Sequence, residues 1–456
     1  MLCAILVGSG HAGSLPVSGR PTPGLSQFDT LMQDFMETNG MEAAVLGIMR
    51  NGVIVYLKGF GYDYDDNNLP ENTPFRLASC SKPITVAAVR QRIAAGDFTL
   101  NSHAYNLGQP SGGLLNLTPF PSLGDTRLRD ITIQHLISHL GGWDRAAVPD
   151  LTYRETEIAS DMGIASPPGR NNTVRWILGQ PLQFTPGTTP GPGVDSYSNI
   201  GCLTMGLIVE NVTGQSMVSY VRNNVLTPEM WVPSTEIFQS RTFRSNQNPR
   251  EPLYAGEGLV WSVFDGVGLV YKPYGGFDME ARIGQGGYCC SAPTVLEFLQ
   301  RYHCDSNSGM LIGTPISPSN PVPGEEQHGG SQAGVSTLMV QRTDGTNIFI
   351  AFNEDDHDEG EHYPRDFYNN SLDPVLDAGG ISWPTASCDG MWVIPGSLIP
   401  GGGGGYNAPM QGFTWAVGQA ADGTKLRVKA GTSNFTGTIS KRLQIDAPLG
   451  VVTIGQ

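Results

Sequence analysis

Ser79 and Lys82 stand three residues apart in the stretch PFRLASCSKPITVAAVRQRIAAGDFTL, where a helix begins. Positions i and i+3 of a helix share a face, so the Lys82 ammonium can reach the Ser79 hydroxyl. A neighbouring positive charge favours the alkoxide, and the positive end of the helix dipole acts in the same sense. The pair reads as a nucleophile beside its activator. Two more groups follow. Tyr197-Ser198-Asn199 comes after a Pro/Gly-rich loop (FTPGTTPGPGVDS) and before the apolar run IGCLTMGLIVENV. His328-Gly329-Gly330-Ser331 comes just before the strand-like VSTLMVQRT. Each fragment alone has an ordinary reading: a Ser near a helix start with a solvated Lys, a half-buried Tyr, a turn. Together they hold what acyl transfer needs, which is a nucleophile, proton carriers and dipoles for an oxyanion.

The elements that must position these groups follow from periodicity. Pro83 suits a first helical turn, and Ile84, Val86, Val89 and Ile93 supply the apolar content that buries the helix after Ser79. SQFDTLMQDFMETN (26–39) predicts a first helix, and AAVLGIMRNGVIVYLKGFG a hairpin around Asn51-Gly52. The chain from the Ser79 helix to about residue 250 alternates helical runs with long loops and predicts a helical lobe. From about residue 255 it returns to strands, including a pair joined at Asp344-Gly345, and closes with a helix near Asp366 to Leu376.

With Ser-x-x-Lys, Tyr-x-Asn and a His-x-Gly element in this order, the chain resembles the serine β-lactamase and penicillin-binding-protein superfamily, in its class C-like branch of esterases and DD-peptidases. The resemblance spans residues 25–384 and extends to ITIQHLISHLGGW (131–143) and GGFDMEARIGQGGYCCSAPTVLEFLQRY (275–302). It implies a mixed α/β (α+β) β-lactamase-like fold, an antiparallel sheet flanked by helices against an all-helical lobe, with the site in the crevice between them. It implies catalytic roles for Ser79, Lys82 and Tyr197. Lys82 would hold the attacking oxygen and Tyr197 would be the second proton carrier, with the division of proton transfer between these two coupled groups left open. Asn199 would orient Lys82 or a substrate amide, and the backbone N–H groups of Ser79 and Ser331 would hold the oxyanion. His328, Gly329, Gly330 and Ser331 would form the substrate-side strand. Many relatives acting on β-lactams carry Lys where His328 stands, and a neutral imidazole attracts a carboxylate less strongly. Ester hydrolysis is therefore favoured over β-lactam turnover, with D-peptides left open.

Other residues invite chemistry and have plainer readings. Ser331 in Gly-Gly-Ser-Gln-Ala lacks the closing Gly of a nucleophile elbow. His135 and His139 are spaced i, i+4, but no Glu follows His135 as a zinc protease requires, so packing and hydrogen bonding are expected of them. The acidic run from Asn353 to His362 lacks the spacing of a calcium loop and reads as a solvated loop at the cleft rim. Cys80, next to the nucleophile, is expected as a buried apolar thiol. The seven cysteines are odd in number and without metal-ligand spacing, and they require no disulfide framework. No metal and no cofactor is called for.

The 456-residue chain is long enough for one large catalytic unit and an addition. Its net charge of -15 argues against nucleic acid and anionic membranes as partners. No apolar run is long enough to span a bilayer. Residues 1–24 read as a leading segment, with Leu2 to Val7 resembling the tail of a secretory signal, which favours an extracytoplasmic (secreted or periplasmic) location over the cytoplasm. Residues 388–456 hold a five-glycine run and short β-prone stretches (GFTWAVGQ, KLRVKAG, GTISKRLQI, GVVTIG), and are expected as a small β-rich extension. The expectation is a serine hydrolase forming an acyl-enzyme on Ser79, a carboxylesterase on small or medium acyl esters of small molecules. The alternatives are a DD-peptidase or D-aminopeptidase acting on amides, and a non-hydrolysing penicillin-binding-like sensor.

Overall fold

The computed structural model describes residues 14–22, 24–226, 236–256, 258–305, 310–355, 362–384, 387–388, 390–396, 409–420, 424–429, 431–447 and 451–455. The signal-like stretch from Leu2 to Val7, the glycine run and residues 356–361 of the acidic loop lie outside the described residues. Helix α1 (Ser26–Asn39) ends at Gly40, whose φ of 68° lets its N–H turn back to the Met36 carbonyl. Strands β1 (Ala43–Arg50) and β2 (Val53–Gly61) form the predicted hairpin, with Asn51 and Gly52 both at positive φ as a type I′ turn requires. Strand β3 (Pro74–Arg76) leads into a short 3-10 turn, Ala78–Cys80, and then α2 (Ser81–Ala94).

The helical lobe follows: α3 (Ile133–Ile137), α4 (Glu155–Met162), α5 (Gly169–Ile177), α6 (Asn199–Thr213) and α7 (Met217–Tyr220). The chain then forms β4 (Ile237–Gln239), a hairpin of β5 (Leu259–Trp261) and β6 (Leu269–Tyr271), β7 (Tyr288–Ser291), and α8 (Ala292–Leu299). Strands β8 (Glu326–Gln332), β9 (Val335–Gln341) and β10 (Thr346–Phe352) return it to the main sheet. A helical stretch containing α9 (Tyr363–Phe367) and α10 (Asp373–Ala378) closes this unit.

The main sheet is antiparallel, in the order β2-β1-β10-β9-β8. Its period-two alternation divides two cores. Val45, Met49, Phe349 and Ala351 face the helical lobe, and Ala44, Leu46, Ile348 and Ile350 face α1 and the closing helix. Burial on both faces explains why these strands read as unbroken apolar runs. At Gly47 a Cβ would stand 2.9 Å from Leu296 Cδ1, so glycine there lets α8 pack against the sheet. A second sheet, β3-β7-β4, pins the chain just ahead of Ser79.

The C-terminal residues have their own small core, built on Val393, Phe413, Ala416, Leu426 and Val428. One expectation is overturned there: GFTWAVGQ is not β but the helix α11 (Phe413–Gln419). Phe413, Ala416 and Val417 are its buried residues, an i, i+3, i+4 pattern that a helix satisfies and a strand does not. The helix lies between β12 (Met410–Gln411) and β13 (Lys425–Val428), which flank β11 (Met391–Ile394) in a sheet completed by β15 (Gln444–Asp446). All these strands pair in parallel, as do β14 (Gly431–Ser433) and β16 (Val452–Ile454), and parallel neighbours need a crossover such as α11. Trp392 of β11 packs into the main core, tying the two units together.

Candidate active site

Ser79 sits in the 3-10 turn that opens α2, half-buried between Ala78 and Cys80, which are fully buried. Ala78 has φ of 46°, a conformation that L residues adopt at a cost of roughly 1–3 kcal/mol, so the turn is held by its surroundings. Leu77 donates its N–H to the Tyr288 carbonyl at 2.8 Å, and Thr337 Oγ1 donates to the Leu77 carbonyl at 2.8 Å. Residues Ser81 to Val89 of α2 are all buried, so the Ser79 turn leads into a helix packed within the core.

Lys82 is 1% exposed, and its Nζ donates to Ser79 Oγ at 2.7 Å and to the Gln285 carbonyl at 2.9 Å. No carboxylate pairs with it among the described residues. The Tyr197 ring lies beneath this ammonium, with Nζ 4.8 Å from the ring centre, and the Arg145 guanidinium is 4.6 Å from the same ring. Arg145 in turn pairs with Asp195 at 2.7 Å, and Asp195 Oδ1 accepts the Tyr197 N–H at 3.1 Å. Ser198 caps α6 by accepting the Gly201 N–H, so the tyrosine projects from a helix start with a fixed backbone.

The i, i+4 histidines are structural, as expected, and one supports the site. His135 closes a capping box with Thr132 at the start of α3. His139, at φ 57°, accepts the Ser198 N–H on Nδ1 at 3.2 Å and lies 4.8 Å, centre to centre, from the Tyr197 ring. Burial and the nearby Lys82 and Arg145 charges push its pKa down to about 3, so the ring is a neutral acceptor.

Strand β8 lies along the Ser79 turn. Gly330 is buried there, and a Cβ on it would meet the Leu77 carbonyl at 2.5 Å and Ser79 N at 2.9 Å, so only glycine admits the strand this close. Ser331 lines the cleft with Ser79. His328 does not, which corrects its expected place among the substrate-facing groups. It is 1% exposed, with Nδ1–H donating to the Cys304 carbonyl at 3.1 Å, and burial followed by the Lys82 charge pushes its pKa down to about 3. The cause is strand parity: Ser331 is exposed, and His328, three residues earlier on the same strand, falls on the buried side. Gly329 is not a cleft residue either, since a Cβ on it would stand 2.8 Å from His362 Nε2.

Of the two roles expected of Asn199, orienting Lys82 is not the one its side chain takes: the amide donates to Asp150 Oδ2 at 2.6 Å, at the border of the cleft. Asp150 Oδ1 accepts from the Thr152 N–H at 2.9 Å. The cleft they border has a volume of about 540 Å³ and is lined by Ser79, Tyr197, Asn199, Ser331, Gln332 and Arg145 among others. Tyr153 and Phe277 contribute an aromatic wall, their rings 5.8 Å apart. Behind it Arg282 stacks 4.0 Å from Tyr153 and pairs with the buried Glu155.

Neighbouring groups fix what chemistry is available. Cys80 Sγ donates to the His328 carbonyl at 3.0 Å, and burial pushes its thiol up to about 12, so the sulfur beside Ser79 stays protonated. The six described cysteines are all free thiols. No group of three His, Cys, Asp or Glu among the described residues suits a metal ion. Of the acidic loop, Asp355 is described, and its Oδ1 accepts the Gly334 N–H at 2.9 Å. The sequence had no signal for Arg145, Asp150 or His139 as site neighbours, because each reaches the cleft through loops whose course tertiary packing sets. The arrangement offers a hydroxyl held by a buried cation, a phenol over that cation, and backbone N–H groups at the Ser79 turn.

A family model described as Beta-lactamase matches residues 28–301. Protein flp of Staphylococcus aureus (strain COL) is 26% identical over 205 residues, covering 44% of this chain and 36% of flp. Esterase EstB of Burkholderia gladioli is 26% identical over 219 residues, covering 44% of this chain and 49% of EstB. The match thus spans less than half the length of either curated relative. The D-amino acid amidase from Ochrobactrum anthropi SV3, solved with L-phenylalanine amide, shares the fold at a TM-score of 0.52 and 16% identity, over 78% of this chain and 98% of that one.

Proposed function

The chain belongs to the beta-lactamase family, and on that premise we propose that it hydrolyses carboxylic esters with small or medium acyl groups through an acyl-enzyme on Ser79. The observation that carries the reading is the 2.7 Å contact between Lys82 Nζ and Ser79 Oγ at the floor of the cleft. Ser79 Oγ attacks the ester carbonyl and its proton passes to Lys82 or Tyr197. The backbone N–H groups of Ser79 and Ser331 receive the oxyanion, each such donor contributing about 3 kcal/mol. Collapse breaks the C–O bond, and the alcohol leaves with the proton. Water then repeats the sequence on the acyl-enzyme, releasing the acid and restoring Ser79. His328, neutral and turned out of the cleft, provides no fixed cation for the carboxylate of a β-lactam. The likeness to EstB supports an ester as substrate.

Asp150 favours a second reading. It borders the cleft and has no cationic partner among the described residues, so it suits the ammonium of a D-amino acid amide or peptide. The fold shared with the D-amino acid amidase is compatible with it.

The test is the initial rate on p-nitrophenyl butyrate and on D-phenylalanine amide, for the wild-type protein and Ser79→Ala. Turnover of the ester that vanishes in Ser79→Ala supports the primary reading. Turnover of the amide alone moves the assignment to the second. Stoichiometric acylation of Ser79 without turnover would leave a sensor, and ester activity that survives in a folded Ser79→Ala protein overturns the nucleophile.

A further inference from the structure

The hairpin of β5 and β6 turns the ordinary patterning of a surface ribbon inside out. Its register pairs Leu259 with Tyr271, Val260 with Val270 and Trp261 with Leu269. Alternation puts Leu259, Trp261, Leu269 and Tyr271 on one face, and they are 61%, 75%, 55% and 47% exposed. Val267, in the connecting turn, is 44% exposed. The opposite face is the packed one: a Cβ on Gly276 would stand 2.9 Å from Val260 Cγ2. A two-stranded ribbon on a soluble protein is expected to show polar residues to water. Here five of the thirteen exposed large apolar side chains of the described residues crowd into thirteen consecutive positions, which makes a patch rather than scatter.

The ribbon is held in place. Ser262 Oγ donates to the Gly275 carbonyl at 2.9 Å, the Val263 N–H donates to the same carbonyl at 3.0 Å, and the Ser166 N–H donates to Asp265 Oδ2 at 2.9 Å. Asp265 is the one charged residue between positions 258 and 271. The patch is also continuous with the catalytic cleft, because β6 runs directly into Lys272, Gly276 and Phe277, which line it.

Area and charge select the occupant. Five part-exposed side chains offer a few hundred Å², the scale of a functional patch. That falls short of the roughly 800 Å² per partner that a standard protein interface buries, so the patch alone does not sustain a stable dimer. The net charge of -15 repels anionic membranes. A neutral apolar surface meets neither objection. We propose that the Leu259–Tyr271 hairpin docks the protein onto the surface of an aggregated, water-insoluble neutral ester and so presents the adjoining cleft to it. This rests on the ester-hydrolase reading.

The experiment measures partition of the full chain onto tributyrin emulsion droplets, using Ser79→Ala to prevent turnover, with and without Trp261→Ser and Leu269→Ser together. The docking reading expects the pair of substitutions to lower partition about tenfold or more, the loss due when a large apolar side chain no longer leaves water. In the Ser79-intact protein the same pair lowers the rate on the emulsion and leaves kcat/KM on soluble p-nitrophenyl acetate unchanged. Equal partition with and without the pair overturns the proposal, as does an equal loss on both substrates. A wild-type dimer in sedimentation that the pair dissociates would make the patch a self-interface instead. Should the doubly substituted protein lose its thermal transition, Leu269→Ser alone supplies the comparison. Absence of any ester turnover sinks the hydrolase reading separately, since partition is read without chemistry.

Discussion

His139 holds Tyr197 through its neighbour: the imidazole accepts the Ser198 N–H at 3.2 Å and lies against the phenol ring, 4.8 Å between centres. Tyr197 is thus set by a histidine that does not line the cleft, and its ring is shared with the Lys82 and Arg145 cations. His139→Leu removes the acceptor but keeps bulk. The expected result is a kcat lower by on the order of tenfold to a hundredfold with KM changed far less, since small displacements of reacting groups are costly. His139→Asn, which can accept from the same N–H, recovers part of the loss. Equal kcat in His139→Leu and wild type would remove the positioning role.

Gly330 is where the sheet touches the Ser79 turn. Gly330→Ala places a Cβ 2.5 Å from the Leu77 carbonyl and 2.6 Å from Thr337 Oγ1, and neither backbone nor a buried threonine yields easily. Overpacking of this kind costs about 1–3 kcal/mol, and the strand must move away from Ser79 to relieve it. Urea unfolding should show the destabilisation, and ester turnover should fall more steeply than stability alone accounts for. Retained activity at wild-type stability would mean that β8 and the Ser79 turn are not in the contact described.

Acid should unfold this protein through its histidines. His139 and His328 are pushed down to about 3 and His362 to about 4, in each case first by burial. In the unfolded chain these groups take up protons near pH 6.5. Between those values the unfolded state binds more protons than the folded one, so stability is present above about pH 6.5 and falls as pH drops toward 3. His303 works in the opposite sense: burial lowers its pKa, but the hydrogen-bonded Glu326 carboxylate overrides this and raises it. His135 is lowered too, first by burial, so four described histidines act against one and the urea midpoint should be lower at pH 5 than at pH 7.5. His328→Gln, whose amide can still donate to the Cys304 carbonyl, should flatten that difference. A midpoint independent of pH across this range would contradict the burial of these rings.

Cys80 neighbours Ser79 yet should be chemically silent. Its thiol is pushed up to about 12 by burial and is fully enclosed, so iodoacetamide at pH 7.5 should leave activity intact and Cys80 unmodified by mass spectrometry. Inactivation that tracks carboxymethylation of Cys80 would show that the turn opens in solution.

Much of this protein is determined locally. The α1 boundaries, the Asn51-Gly52 hairpin and the contact of Lys82 with Ser79 each depend on residues within one helical turn or one strand pair, where periodicity and turn chemistry act directly. The family pattern of Ser79, Tyr197 and β8 was legible because three short motifs kept their order along the chain. The tertiary structure decided the rest. His328 turned away from the cleft because strand parity follows from pairing with β9, which no three-residue motif encodes. Asn199 turned to Asp150 because a loop some fifty residues earlier brings a carboxylate to it. GFTWAVGQ became a helix because parallel partners on either side of it need a crossover, although its residue types favour a strand. The exposed face of the β5–β6 hairpin emerged only once the packing against Gly276 showed which of two apolar faces was left to water.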